Sequence, residues 1–342
     1  MITRYSMKKH TAFWRRLPLG ITVLILILIV TLFILNNNIS LRPLPQAEFC
    51  RQLDVALELS TQWLESRAHE LAVTKPNTAL LHMIDDMADL SQDPRLRQIT
   101  ESFLQSQSRS LWRRMVNETV FFQTPPTSEV SQYQDYQRWI LHALAPSQVV
   151  LTPDDLASMF SPTAHYWGSL THQVFSLYIY RKHQGSTSKL DNVVDRLCER
   201  IAFEAIWDIR VTDLYLQRIA FLLAAGRPDL VKRRWVERLL AHQKASGGWQ
   251  PAWYGWGPDL FRFTLTERPP DVHATAQGAW VLYMLKYRYP NWSESHYRTR
   301  CRPRTPCTNR DISHKEIIRL QSCEEKTTYS LWERGAELLP MC

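Results

Sequence analysis

From Leu17 to Leu35 the chain carries no charge and is apolar apart from Thr22 and Thr31. Wound as a helix at ~1.5 Å per residue, a run of this length covers roughly the 30 Å hydrocarbon core of a bilayer. Arg4, Lys8, Lys9, Arg15 and Arg16 precede it and no acidic residue does. That bias holds the N-terminus in the cytoplasm and sends the rest of the chain across. A cleaved signal peptide is the rival reading. The run is longer than a usual signal core, and Asn36-Asn37-Asn38 follows it without a small-x-small site, so an uncleaved anchor is expected. Glu48 and Phe49 before Cys50 do not suit lipidation of that cysteine.

The anchor changes how the charge is read. Net charge is +8, but five of those charges sit in the acid-free N-terminal tail, leaving only +3 for the remainder. No nucleic-acid partner is therefore expected. Arg298, Arg300, Arg302, Arg304 and Arg310 form a local basic excess near the C-terminus, read as a solvated tail. All six cysteines (Cys50, Cys198, Cys301, Cys307, Cys323 and Cys342) follow the apolar run, which permits disulfides in an oxidising compartment. Their spacing matches no zinc module. The layout expected is a cytoplasmic tail at 1–16, an anchor at 17–36, a stalk at 37–49 and a helical region at 50–149. A second helical domain at 150–295 and a cysteine-containing basic tail at 296–342 follow.

Only 10 glycines occur among 342 residues, and long Leu, Ala, Gln and Arg-rich stretches point to an all-α body. Apolar residues at helical spacing predict helices over 50–71, 79–90, 133–144, 170–182, 190–207, 211–225, 229–243 and 272–287. Pro94 sits as a first-turn proline and predicts a helix reaching Met115. Thr152 before Pro153-Asp154-Asp155 reads as a cap, as do Thr171, Thr212 and Asp271 before their helices. The helix at 211–225 is apolar on most of its circumference and should lie inside. The one at 229–243 is amphipathic and should lie outside. Short helices are also expected within 315–339.

One string stands apart. Gln243-Lys-Ala-Ser-Gly247-Gly248-Trp249 ends a predicted helix, with two glycines to permit a tight turn, an amide to tie it and an indole to cover it. Asp271-Val272-His273 then opens another. The first string resembles the Q-x-x-x-G-x-W repeat of squalene and hopene cyclases. The second resembles the helix start carrying the zinc-binding histidine in protein prenyltransferases. The resemblance covers roughly 165–290 and implies an α/α toroid, in which inner and outer helices alternate around a cavity. It implies a structural role for Gln243, Gly247, Gly248 and Trp249. The catalytic motifs of the family do not accompany it. No D-x-D-D acid is present, and residues 249–273 hold no cysteine to complete a zinc set, so zinc is not favoured and no cofactor is assigned.

In such a ring the starts of the inner helices meet at one mouth. His172, Asp213 and His273 all lie at predicted inner-helix starts, and they are the candidate catalytic residues or, less favoured, metal ligands. Residues 249–263 form an expected loop in which Trp249, Trp253, Tyr254 and Trp256 could stack on a sugar ring or a polyprenyl chain; a plug filling the ring is the other reading of the same aromatics. The expected protein is therefore an anchored, extracytoplasmic enzyme or binding protein for an envelope glycan or a polyprenyl-linked molecule. The alternative is a non-catalytic scaffold that binds a partner protein or lipid.

Overall fold

The computed structural model describes residues 19–37, 44–73, 78–106, 109–163, 169–208, 210–251, 254–256, 263–265 and 268–295. In chain order the helices are α1 (Leu19–Asn37), α2 (Gln46–Glu65), α3 (Ala68–Val73), α4 (Thr78–Ser91), α5 (Pro94–Ser106), α6 (Thr127–Val130) and α7 (Asp135–Leu144). They continue as α8 (Pro153–Met159), α9 (Ser169–Gln184), α10 (Ser188–Trp207), α11 (Asp213–Ala224), α12 (Arg233–Ala241), α13 (Val272–Tyr283) and α14 (Trp292–Ser295). The class is all-α, as the periodicity predicts. One departure lies in the aromatic segment. Tyr254–Trp256 (β1) pairs antiparallel with Phe263–Leu265 (β2), Gly255 opposite Thr264, where a plain loop was expected. A second departure follows Pro94: its helix stops at Ser106, and Leu111, Trp112 and Met115 belong to a separate 3-10 turn. The expected helices at 315–339 and the cysteines from Cys301 onward lie outside the described residues.

The helices pack in a closed circuit. The starting point is α4, which touches the turn Leu111–Met115; that turn meets α7, α7 meets α9, α9 meets α11, α11 meets α13, and α13 returns to α4. Along α11 and α13 nearly every residue is buried, consistent with the apolar circumference of these stretches. Against the circuit lie α2, α5 and α10, and α12 packs on α1 and α2, each of the four burying one stripe of an amphipathic helix. A single apolar core runs from Phe49 to Trp292, so the regions on either side of residue 150 share it. Cys198 is a fully buried free thiol, which leaves an odd number of cysteines for any pairing.

Exposed aliphatic side chains line α1, Leu24 at 66% and Leu26 at 59% among them. Its last two residues are different. Asn36 and Asn37 are buried and donate to the final carbonyls of α10: Asn36 Nδ2 to Ala205 (3.0 Å) and Ile206 (2.7 Å), Asn37 Nδ2 to Ile206 (2.7 Å). Those carbonyls have no partner within their own helix. Arg238 donates to the Asn36 side-chain oxygen, and Lys232 and Trp235 to that of Asn37, both at 3.2 Å. Within the expected stalk, Arg233 donates to the Leu44 carbonyl (2.9 Å) and to Gln46 Oε1 (2.8 Å). The stretch expected to extend away from the body therefore has both described ends fastened to it. Among the described residues no helix is long and apolar enough to cross a membrane. Without its docked asparagines α1 contributes roughly 26 Å of apolar helix at 1.5 Å per residue, and Leu17 and Pro18 lie outside the described residues.

The turn after α12 locks three helices together. Gln243 Nε2 donates to the Ala56 carbonyl of α2 (2.9 Å) and to the Gly247 carbonyl (2.8 Å). Gly247 has φ +97°, and a Cβ there would stand 2.2 Å from the Leu59 carbonyl oxygen. Trp249 is 1% exposed; its indole donates to the Leu239 carbonyl (2.9 Å) and its backbone N–H to Thr275 Oγ1 of α13 (3.1 Å). A Cβ on Gly278 would meet the indole at 2.7 Å, so the ring lies flush on α13. Two glycines separate the effects involved. Gly247→Ala adds a clash with backbone to a left-handed φ and should cost at least ~3 kcal/mol. Gly185→Ala, at φ +85° with nothing within 4 Å, should cost only the ~1–2 kcal/mol of the backbone conformation. Thermal unfolding of both variants reads the difference.

Candidate functional site

Five helices of the circuit turn their first residues toward one cavity of about 140 Å³. Thr78 of α4, Tyr136 of α7, His172 of α9, Gln217 of α11 and His273 of α13 all line it, and Trp112, Phe175 and Phe221 supply apolar wall. Each helix starts there for a local reason. Asp271 caps α13, its carboxylate accepting from the Ala274 N–H at 2.8 Å. The first N–H of α11 donates instead to the Pro251 carbonyl (3.2 Å), and Thr212 makes no side-chain cap. Nor is Thr171 a cap: it lies within α9 and donates to Gln217 Oε1 (2.6 Å), joining two walls of the cavity. Both threonines thus depart from their expected role: Thr171 is drawn to Gln217, and Thr212 makes no side-chain bond to the first turn of its helix.

The three candidate residues fall unequally. Asp213 Oδ2 stands 3.2 Å from His273 Nδ1. The other ring nitrogen, Nε2, lies 3.2 Å from Gln277 Nε2, one helical turn along α13. His172 shares the cavity but stacks its ring on Tyr136, centroids 4.3 Å apart at 27°. Burial works against charging the His273 ring, but the hydrogen bond and charge of Asp213, with the charge of Asp271, more than offset it, and its pKa is raised. Asp271 is itself shifted up, chiefly by burial. His82, which packs on Phe175 with ring centroids 6.0 Å apart, shows the opposite state. Burial holds it neutral with a pKa of about 4, its Nδ1 against the Met115 carbonyl at 2.8 Å.

The Asp213–His273 pair fixes the proton on Nδ1 and leaves Nε2 to address the cavity. With neutral His273, the Gln277 amide donates to Nε2 and its Oε1 is left buried without a partner. With protonated His273, the same amide turned over would accept from Nε2–H. The pair can therefore hold or release a proton at one atom facing an apolar space, which is the arrangement general acid–base chemistry uses. Among the described residues no group of three or more His, Cys, Asp or Glu could hold a metal ion.

A larger groove of about 440 Å³ adjoins the cavity and shares Trp112 and Tyr133 with it. Those two rings meet edge to face at 5.8 Å and 81°. Of the aromatic residues expected to form a surface on 249–256, Trp249 alone has a described side chain. Trp249 is sealed beneath α13 and offers no face to a ligand, so its place is in the turn. Tyr254 and Trp256 lie on β1 with side chains outside the described residues, and Trp253 lies outside them altogether. Gln217 and Gln277 were not foreseen. Each stands four residues after a predicted site residue, Asp213 and His273, and so shares its helix face; that spacing is the signal that could have found them.

No family model matches the chain, and neither a curated protein nor a solved structure does.

The raised pKa gives the pair a pH signature. Its contribution to stability is fully present below the unfolded-state histidine pKa of roughly 6.5 and is lost as pH rises through the folded value. The difference in melting temperature between the wild type and Asp213→Asn should shrink as pH is raised from 6. NMR titration of the imidazole should show a lower His273 pKa in the variant, where burial is opposed only by the charge of Asp271.

Proposed function

We propose that this is a membrane-anchored, extracytoplasmic protein whose helical ring receives one end group of an envelope glycan or polyprenyl-linked molecule. His273, oriented by Asp213, is the acid–base group that meets it. The observation that carries this reading is the 3.2 Å contact between Asp213 and His273 at a cavity where five helix starts converge. The closed packing circuit and the turn at Gln243–Trp249 support the α/α-toroid resemblance; the uncharged α1 and the basic residues before it support the anchor.

Size narrows the ligand. Pockets that enclose a whole drug-sized molecule run to ~300–1,000 Å³, and this cavity has about 140 Å³. It takes an end group, while the adjoining groove of about 440 Å³ takes what that group is attached to. Apolar walls suit a ring face or a short branched chain. Gln137, Gln217 and Gln277 suit hydroxyl or carbonyl oxygens, and Nε2 of His273 suits the atom that gains or loses a proton.

The test uses the full chain, extracted in mild detergent without chelator and examined by native mass spectrometry. A bound organic mass that is retained by the wild type and lost in His273→Ala and Asp213→Asn supports the reading. A chain at its calculated mass, with neither variant altering turnover of envelope glycan or polyprenyl lipid, would instead favour a scaffold that binds a partner protein or lipid.

A further inference from the structure

Four residues of α10 fall on one exposed stripe. Arg196, Arg200, Phe203 and Trp207 follow one another at spacings of four, three and four, which places them within about 60° of arc on a helix of 3.6 residues per turn. All four are exposed, Phe203 at 63% and Trp207 at 52%. Large aromatic side chains so open to solvent normally mark a contact surface. Neither arginine takes part in an ion pair among the described residues, whereas Asp195 and Glu204 beside the stripe are already matched by Arg227 and Arg218. Glu199 is the one acidic residue left exposed on its flank.

The aromatic end of the stripe meets the end of α1. Phe33 packs on Trp207 with ring centroids 5.1 Å apart, and Asn36 and Asn37 bond the carbonyls of Ala205 and Ile206 in the last turn of the same helix. If α1 lies in a membrane, its apolar run ends at Leu35, so Trp207 stands at the depth where hydrocarbon gives way to headgroups. Tryptophan favours that zone because its ring is apolar and its N–H is not. The two arginines, about two and three turns back from Trp207, then carry positive charge along the surface, where lipid phosphates lie.

We infer that the Arg196–Trp207 stripe of α10 is a membrane-surface docking site, Phe203 and Trp207 entering the headgroup boundary and Arg196 and Arg200 binding lipid phosphates. The occupant is the same bilayer that holds α1, and the inference rests on the anchor reading. Docking lays the body on the membrane by two points, the helix α1 and the stripe.

The experiment is hydroxyl-radical footprinting of the full chain in nanodiscs of phosphatidylcholine with a minority of phosphatidylglycerol. Phe121, 77% exposed, is the internal reference, and the unfolded chain gives the intrinsic reactivity of each residue. Burial at the interface should lower oxidation of Phe203 and Trp207 about five-fold against that reference. Arg196→Glu with Arg200→Glu should restore most of it. Insertion is measured separately, by protection of the α1 peptide from protease. An inserted chain whose Phe203 and Trp207 oxidise as readily as Phe121 overturns docking and leaves the anchor standing. A chain that does not insert overturns both. Protection that persists in the double variant and tracks two copies per disc assigns the stripe to a second copy of the chain and overturns the lipid reading.

Discussion

The close approach of the backbone at Gly247 to the Leu59 carbonyl is the constraint on which the body depends. No side chain fits there, so α12 can end against α2 only through glycine. Once that contact is made, the Gln243 amide reaches the Ala56 carbonyl and Trp249 comes down on Gly278, where again no side chain fits. Trp249 then returns its backbone carbonyl to the Asp271 N–H (3.2 Å), the residue that caps α13. A turn between two outer helices thereby sets where the inner helix begins, and with it the position of His273. The structural and chemical parts of the chain meet in a single residue, Asp271.

The positions of the helices were largely legible because periodicity and punctuation agree along this chain. Thr152 caps α8 as its place before Pro153 predicts, and the apolar circumference at 211–225 marks the buried α11. Local signals failed where a tertiary partner outcompeted them. Thr171 has the chemistry of a cap but donates to Gln217, and Thr212 stands before its helix without a side-chain cap bond. The strand pair at Tyr254–Leu265 was hidden for a different reason: a three-residue ladder is too short to impose a pattern of its own.

The candidate site was legible as a set of residue types and not as a geometry. His273 and Asp213 sit at helix starts separated by the whole of α12 and its turn, and only closure of the circuit brings them within 3.2 Å. His172 reaches the same cavity, yet its ring is turned against Tyr136, a partner no spacing rule relates to it. Trp249 offered both a structural and a ligand-stacking reading, and Gly278 decides between them. The electrostatic contrast between His273 and His82 depends on what surrounds each ring, which the sequence around either histidine does not disclose.

The junction at Asn36 and Asn37 has a mechanical meaning. A domain tethered by a slack linker sweeps a hemisphere and meets ligands over a wide range of heights. Here the last turn of α1 is plugged into the carbonyl end of α10 and gripped by Arg238, Lys232 and Trp235. The support is a stand and not a leash. On the proposed anchor reading, whatever carries α1 would also fix the altitude and bearing of the cavity mouth, and a ligand of the proposed kind would have to be presented at that one level.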